Sequence, residues 1–434
     1  MGDTTIAGEQ STRVPHGGAS VSLIAYGRVR RTVDRLGGSI DRRLTWWVLG
    51  GFLLARVFSA VLIAWMAPSS GRLVVANREG SGPLGYWDMV HAWDGKWYEQ
   101  IINEGYPQVL PLDQENRVAQ NTWAFLPLFP TLTAGIMTVT GLSFAVAGSL
   151  LSIGCAAAAV VLMSVLLRER IGARAAFGAT LLFSFAPSSP VLQMTYTESL
   201  GILLLTIFLW GITRHNWGVA CLAAVLLGFE RPIALSMAGV VVAVLLRMVL
   251  RRHTEQVRPR DLVGAVTTLV VTGLSGLAWP AVAAWRTGQA DAYVLTQAAW
   301  RAPGGVVPFK PWLTNFQLVF GEGKGVIVVF VVVACWFLVM AGPWSRGLGF
   351  ELRAWMVSYS LYLVAITDVW TSTYRFLLFL WPVGAILIGA AQPRARDRLL
   401  VGWRTAAWVV IFAGWQIWWV FELLKFTPPA DFAP

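Results

Sequence analysis

The sequence predicts an all-α polytopic membrane protein of about eleven transmembrane helices, with two further helices lying along the interface in its first outer loop. Three observations predict it. Of 434 residues, 56% are hydrophobic and only 13% charged, against about 25% charged in soluble domains. Mean hydropathy is +0.60. The apolar residues fall into repeated runs close to the roughly 20-residue length that crosses a bilayer. The net charge of +11 is carried almost wholly by arginine, with only four lysines (Lys96, Lys310, Lys324 and Lys425). On a soluble chain that excess would suggest nucleic acid. Here it sits in the loops, as the positive-inside rule requires, and the expected partner is the lipid bilayer.

Residues 1–43 read as a basic, partly disordered cytoplasmic tail, rich in Gly, Ser and Thr and then in arginine (Arg28, Arg30, Arg31, Arg35, Arg42, Arg43). No short cleavable apolar core follows, so the next run reads as a signal-anchor helix. The stretch "VSLIAYGRVRRTVDRL" fits either a surface-lying amphipathic helix or a solvated basic tail. The transmembrane domain covers 44–424, with spans expected at 44–66, 145–167, 174–191, 197–213, 216–229, 233–250, 262–284, 325–341, 352–367, 376–392 and 402–424, then a short tail at 425–434. The weakest span is 216–229. Cys155, Cys221 and Cys335 all lie in apolar runs without metal-ligand spacing and read as packing residues.

One further run, "AFLPLFPTLTAGIMTVTG" (124–141), is short and carries two prolines. If it crossed the membrane, the basic loop "RERIGAR" (168–174) would lie opposite the basic N-terminal tail. If it lies along the interface, loops 28–43, 168–174, 214–215, 247–260, 346–353 and 394–398 share one side, which is then cytoplasmic. The second arrangement is adopted. It puts the N-terminus inside and the C-terminus outside, with outer loops at 67–144 and 285–324. Asp88, His91, Asp94, Glu115, Glu198, Glu230, Arg231, Asp291, Asp368 and Arg375 then share the outer face. Ionisable groups at a membrane edge are costly, so their clustering points to a functional site. Ordinary loop polarity accounts for Glu115 and Asp291 but poorly for Glu198 and Glu230, which border apolar helices.

Within the first outer loop, positions 93–105 of "HAWDGKWYEQIINEGYP" (91–107) read as a short amphipathic helix. Trp93, Trp97, Ile101 and Ile102 recur at helical spacing, with Lys96, Glu99, Gln100 and Glu104 opposite and Gly105 as the stop. Asp94 falls in the first turn, where the helix dipole favours a carboxylate. Capping alone would explain that position as well as chemistry does.

"WDGKWYEQIINEGY" (93–106) resembles the first-loop signature of PIG-V-type mannosyltransferases: a Trp-Asp pair, an aromatic three residues after the Asp, then Ile and Gly-Tyr. "AFLPLFP" (124–130), "YTESLGILL" (196–204), "QAAW" (297–300) and "STYRFLLFLWP" (372–382) are similar, in the same order, to later stretches of that family, whereas "ERP" (230–232) matches loosely. The resemblance covers about residues 45–385 and implies a GT-C-like bundle in the plasma (inner) membrane of an actinobacterial-like bacterium. It implies a polyprenyl-phosphate-sugar donor, normally of mannose, transfer on the extracytoplasmic face to a glycolipid or lipoglycan acceptor, and an acidic first-loop residue that does the chemistry, here Asp94.

That chemistry is economical. A sugar phosphate already has its leaving group, so one carboxylate acting as general base on the acceptor hydroxyl is enough for inversion. A guanidinium would stabilise the departing phosphate. Arg375 is the first candidate and Arg231 the second, although pairing with Glu230 or Glu198 would explain Arg231 equally. Arg56, inside the first span, reads as a structural pair. By the resemblance, Glu198 would bind a substrate sugar, with Tyr98 and Gln297 as further substrate contacts. Trp93, Trp97 and Trp300 would stack on sugar faces, though with 23 tryptophans most must be interfacial anchors. His91 would tune the base, or be a packed or solvated histidine. With neither an Asp-x-Asp pair nor a His cluster, no metal or other cofactor is expected. Two other readings stay open: a polyprenyl-phosphate-arabinose transferase and a transporter of lipid-linked saccharide, although no internal repeat of the transporter kind is visible.

Overall fold

A computed structural model describes residues 41–71, 82–254, 256–300, 307–392 and 398–427. The N-terminal tail, most of the basic loop 394–398 and the end of the C-terminal tail lie outside the described residues. Among the described residues every regular element is helical, apart from one isolated bridge between Leu112 and Val118. The protein is an all-α, multi-pass membrane protein.

Five helices are long and apolar enough to cross a membrane. They are α1 (Arg42–Met66), α5 (Phe144–Ile171), α10 (Pro259–Thr287), α13 (Glu322–Ala341) and α17 (Arg398–Trp419), the last continued by a π-turn over Val420–Leu424. Shorter apolar helices fill other expected spans: α7 (Glu198–Thr213), α8 (Trp217–Gly228), α9 (Ala234–Leu250) and α14 (Phe350–Ile366). The long loop after α1 holds α2 (Tyr86–Val90), α3 (Asp94–Glu104) and α4 (Leu128–Thr140). At 13 residues, α4 is about 20 Å long, short of a hydrocarbon core of about 30 Å. Length alone does not set it apart from α8, which has 12 residues.

Two expected spans are not continuous helices. The run 174–191 ends as α6 (Ala173–Ser184) and resumes only as a 3₁₀ turn over Ser189–Gln193. Pro187 and Pro190 explain the break, since proline lacks the N–H a helix needs and clashes with the preceding turn. The run 376–392 is divided into α15 (Thr373–Phe376), a 3₁₀ turn over Leu377–Leu380 and α16 (Val383–Leu387), interrupted at Pro382. Hydropathy registers greasiness but not these missing donors.

Among the described residues, the basic loops 168–174, 214–215, 247–260 and 346–353 converge on one end of the bundle. Arg170, at the end of α5, pairs with Glu351 of α14 at 3.0 Å. Arg247, at the end of α9, reaches the same carboxylate at 3.6 Å. Arg214 pairs with Glu169, and His215 lies 3.5 Å from Asp261. Helices α5 and α7 connect that end to the other, where Ser149 donates to the Gln193 carbonyl at 2.7 Å and Glu198 begins α7. There the loop between α1 and α5 builds a small core of its own. Tyr106, Trp123 and Trp279 pack with ring centroids 4.7–5.1 Å apart, among Leu110, Leu126, Ala283 and Ala292. The loop is thereby fixed to α10 and to α11 (Ala292–Ala298).

Candidate active site

The segment around Asp94 is held at both ends. Gly105 takes φ +77° and its N–H bonds the Ile101 carbonyl at 3.0 Å, ending α3 as expected. At the start, Trp93 is the N-cap residue, so Asp94 is a first-turn acid and not the cap. Trp93 has φ +60°, a region that costs a non-glycine residue about 1–3 kcal/mol and that collects at functional sites. Its indole offsets this by donating to the Leu424 carbonyl at 3.1 Å and packing edge-on against Phe426. The next residue but one, Gly95, lies against the loop before α7. A β-carbon there would stand 2.3 Å from Thr195 Oγ1, so the close approach of α3 to that loop requires glycine.

The loop itself, 185–197, is buried and polar, and it is secured from three helices. Arg56 of α1 donates to the Ser184 carbonyl at 2.7 Å, to Ser189 Oγ at 2.9 Å and to the Ser189 carbonyl. Gln416 of α17 also reaches Ser189 Oγ, at 2.7 Å. Ser188 Oγ donates at 2.8 Å to the carbonyl of Tyr374, the residue before Arg375. The structural reading of Arg56 is the one its contacts support: it satisfies carbonyls left open by the proline break.

These supports bring four charged side chains from distant parts of the chain together. Arg375 Nη1 donates to Asp94 Oδ2 at 2.5 Å and to Glu198 Oε1 at 3.2 Å. Arg231 Nη1 donates to the same Glu198 oxygen at 2.9 Å and to Thr197 Oγ1 at 2.8 Å. Two carboxylates and two guanidinium groups thus balance. Aromatic rings pad the cations: Tyr196 and Phe376 lie 5.2 and 5.4 Å from Arg375, while Phe376 and Phe379 lie 5.4 and 4.9 Å from Arg231. Glu198 is fully buried, whereas the Asp94 side chain keeps 19% of its exposure and is the cluster's most open charged group.

The cluster is not fully satisfied. Among the described residues, Glu198 Oε2, Arg231 Nε, Arg375 Nε and both oxygens of the neighbouring Glu230 are buried without a hydrogen-bond partner. Buried polar atoms left this way cost about 1–3 kcal/mol each, and functional sites are where such debts recur. Tyr98, one turn after Asp94, donates to Thr197 Oγ1 at 3.5 Å. Burial first, and the Asp94 charge second, hold its phenol well above the ordinary range, so it acts as a donor.

The other expected site residues divide. Trp97 stacks on Phe125 at 5.7 Å and meets Trp300 edge-on at 5.2 Å, with Lys96 over its ring. Gln297 donates to the Ala124 carbonyl and to Tyr293, each at 3.2 Å. This aromatic group adjoins the charged one through Phe125 and Tyr98, whose rings are 5.3 Å apart. Trp93 and His91 face elsewhere: Trp93 is buried against the end of α17, and His91 Nδ1 lies 2.9 Å from the Trp87 carbonyl. Tyr196 and Thr197 were not singled out from the sequence. Their signal was adjacency to Glu198. Among the described residues no group of three or more His, Cys, Asp or Glu is placed to hold a metal.

No protein-family model matches the chain, and comparison of its sequence with characterised proteins finds no match. Among solved structures it is similar to the Archaeoglobus fulgidus oligosaccharyltransferase complex with zinc and sulfate, with 14% identity, TM-score 0.47 and coverage of 87% of this chain and 53% of that one. It is also similar to AglB of the same organism in complex with an inhibitory peptide and a dolichol-phosphate, with 14% identity, TM-score 0.48 and coverage of 89% and 57%. A third is apo ArnT from Cupriavidus metallidurans, with 14% identity, TM-score 0.43 and coverage of 82% and 62%. The chain spans little more than half the length of the oligosaccharyltransferase structures.

Proposed function

We propose that the protein is a GT-C-type membrane glycosyltransferase of the PIG-V kind. It moves a mannosyl residue from a polyprenyl-phosphate donor to a hydroxyl of a glycolipid or lipoglycan, on the extracytoplasmic face and with inversion. The observation that carries this reading is the Asp94–Arg375 contact. A partly open first-loop carboxylate and a cation suited to phosphate stand 2.5 Å apart, backed by the buried Glu198 and Arg231.

In the reaction, Asp94 accepts the proton of the acceptor hydroxyl as its oxygen attacks the anomeric carbon. The bond from that carbon to the phosphate oxygen breaks, and the lipid phosphate leaves with the electron pair. Arg375 presents five N–H donors in a planar fork. It keeps Nη1 on the carboxylates while its other edge meets the developing charge. Arg231, held by Glu198 and Thr197 and padded by Phe376 and Phe379, braces Glu198 and so fixes Arg375. Trp97, Trp300 and Phe125 supply the nearby aromatic surface on which a sugar ring would pack.

The test is turnover by the purified full-length chain with polyprenyl-phosphate-[14C]mannose and extracted membrane lipids as acceptor, beside polyprenyl-phosphate-arabinose. Label entering lipid from the mannose donor alone is the expected result. Transfer only from the arabinose donor moves the sugar assignment. Unchanged donor that merely crosses sealed vesicles makes the protein a transporter.

A further inference from the structure

We propose that Trp93 is a positioning residue for Asp94, and that it acts through the chain segment that follows α17. The inference rests on the transferase reading, since it concerns the base of that reaction. It gives Trp93 a role other than the sugar-stacking one that its residue type suggested.

Trp93 holds the N-cap position of α3 at φ +60° and ψ −113°, and its side chain makes no capping hydrogen bond there. Ser, Thr, Asp or Asn would fill an N-cap at lower energy. A strained backbone of this kind persists only where its surroundings over-determine it. Here they do. The indole N–H reaches the Leu424 carbonyl at 3.1 Å, and the ring packs 5.8 Å from that of Phe426. Helix α17 ends in a widened turn, in which the Lys425 N–H bonds the Val420 carbonyl at 3.2 Å. The last carbonyls of a helix have no partner within it, which leaves that of Leu424 to the indole. Widened turns of this kind recur at functional sites.

The segment after α17 is itself fixed. Phe426 donates its N–H to Ser70 Oγ at 3.0 Å, and its carbonyl accepts the Gly71 N–H at 2.8 Å. Phe421 packs edge-on against Trp65 of α1, with centroids 5.3 Å apart. The end of α1, the end of α17 and the start of α3 are thus joined through Trp93. Earlier on α17, Gln416 donates to Ser189 Oγ at 2.7 Å and to the Ala186 carbonyl at 3.3 Å, within the loop that leads to Glu198. Helix α17 supplies no member of the charged cluster, yet it braces both chain segments that carry the cluster's carboxylates. Asp94 follows Trp93 directly, so the Trp93 torsions set the direction in which its carboxylate leaves the backbone toward Arg375. Misplacing a catalytic group by about 1 Å can cost about a hundred-fold in rate.

The test is initial-rate transfer by the full-length chain carrying Trp93→Phe, alone and combined with Asp94→Asn, below the melting temperature of each variant. Phenylalanine keeps a ring against Phe426 and loses the N–H. Turnover should fall about ten-fold, short of the 1 Å figure because packing is retained, with the KM for donor unchanged. In the Asp94→Asn background Trp93→Phe should cost nothing further, because residues that act as one unit are not additive. An equal fall in both backgrounds makes Trp93 a folding residue and overturns the proposal, as does wild-type turnover by Trp93→Phe. Should Trp93→Phe fail to fold, Ser70→Ala carries the test through the tie to Phe426. It should lower turnover a few-fold in the wild type and leave Asp94→Asn unchanged; no effect, or the same effect in both, overturns the proposal. A wild-type chain that transfers from neither the mannose nor the arabinose donor refutes the transferase reading itself, before any variant is compared.

Discussion

Asp94→Asn separates catalysis from architecture better than any other single change. The substitution keeps the shape of the side chain and one oxygen that can still accept from Arg375 Nη1. It removes the charge, and with it the ability to take a proton. As general base Asp94 should contribute about a hundred- to ten-thousand-fold in rate, or about 3–5 kcal/mol of barrier. The structure adds a stability cost that helix-start placement alone does not suggest. The Asp94–Arg375 pair, with side chains 19% and 10% exposed, lies between two regimes: fully buried pairs lose about 3–5 kcal/mol when one partner is removed, and exposed pairs about 0–1 kcal/mol. A cost of about 1–3 kcal/mol follows. The neutral foursome gains one positive charge, and Glu198 Oε1, already shared by both arginines, becomes the cluster's only charged acceptor.

The assay is initial-rate transfer with labelled donor, at matched protein and below the measured melting temperature of each variant. Asp94→Glu and Asp88→Asn run beside it. Asp94→Glu keeps the charge but moves the carboxylate by about 1.5 Å, which should restore the melting temperature more than the rate. Asp88 accepts from the Gly85 N–H at 2.6 Å on α2, and Asp88→Asn should leave turnover within a few-fold of wild type. If folded Asp94→Asn turns over within ten-fold of wild type, Asp94 is an ion-pair residue and the general-base reasoning fails. If the Asp88 variant alone is inactive, the base is the wrong carboxylate.

Three further outcomes are expected. Arg375→Lys should lower turnover by at least about a hundred-fold while the chain still folds, because an ammonium cannot span Asp94, Glu198 and a phosphate together; near-wild-type turnover would transfer the phosphate role to Arg231. Gly95→Ala should cost about 1–3 kcal/mol through overpacking, since its β-carbon meets Thr195 Oγ1 at 2.3 Å, and should lower activity by shifting Asp94. Adding Thr195→Ala should recover much of both, and a double variant no better than Gly95→Ala would show that the close approach is not the cause. In a cysteine-free background, Asn116→Cys and Thr254→Cys should label from opposite sides of sealed vesicles, and equal labelling would refute the topology.

The sequence made the local elements readable. Helix α3, its first-turn acid and its Gly105 stop follow from spacing and turn chemistry, as does the shortness of α4. Asp94, Glu198, Arg231 and Arg375 stood out because ionisable groups are rare beside apolar runs. Their pairing did not, since Asp94 and Arg375 are 281 positions apart and helical periodicity carries no information at that range. The interrupted helices at 174–191 and 376–392 were written in Pro187, Pro190 and Pro382, but a hydropathy criterion does not register missing backbone donors. Trp93 shows a different limit. Composition puts a tryptophan in the headgroup region, whereas its positive φ turns the indole toward the Leu424 carbonyl.

The same contact that joins base and cation also explains how one guanidinium can serve two steps of the proposed transfer. At rest, Arg375 balances the charge of Asp94, and Glu198 with Arg231 completes a neutral set. As the acceptor proton passes to Asp94, that carboxylate loses its charge. In the same event the donor phosphate, losing the sugar, gains one. The total charge around Arg375 is unchanged, and what moves is the edge of the fork on which it is concentrated. A cation held by Glu198 behind and by the Tyr196 and Phe376 rings alongside need not reorganise to follow it, which is the physical advantage of a preorganised site over water. Lysine in this position would have to swing between the two oxygens. The planar, doubly anchored guanidinium does not, and this accounts for an arginine buried at the one point where the first loop meets the start of α15.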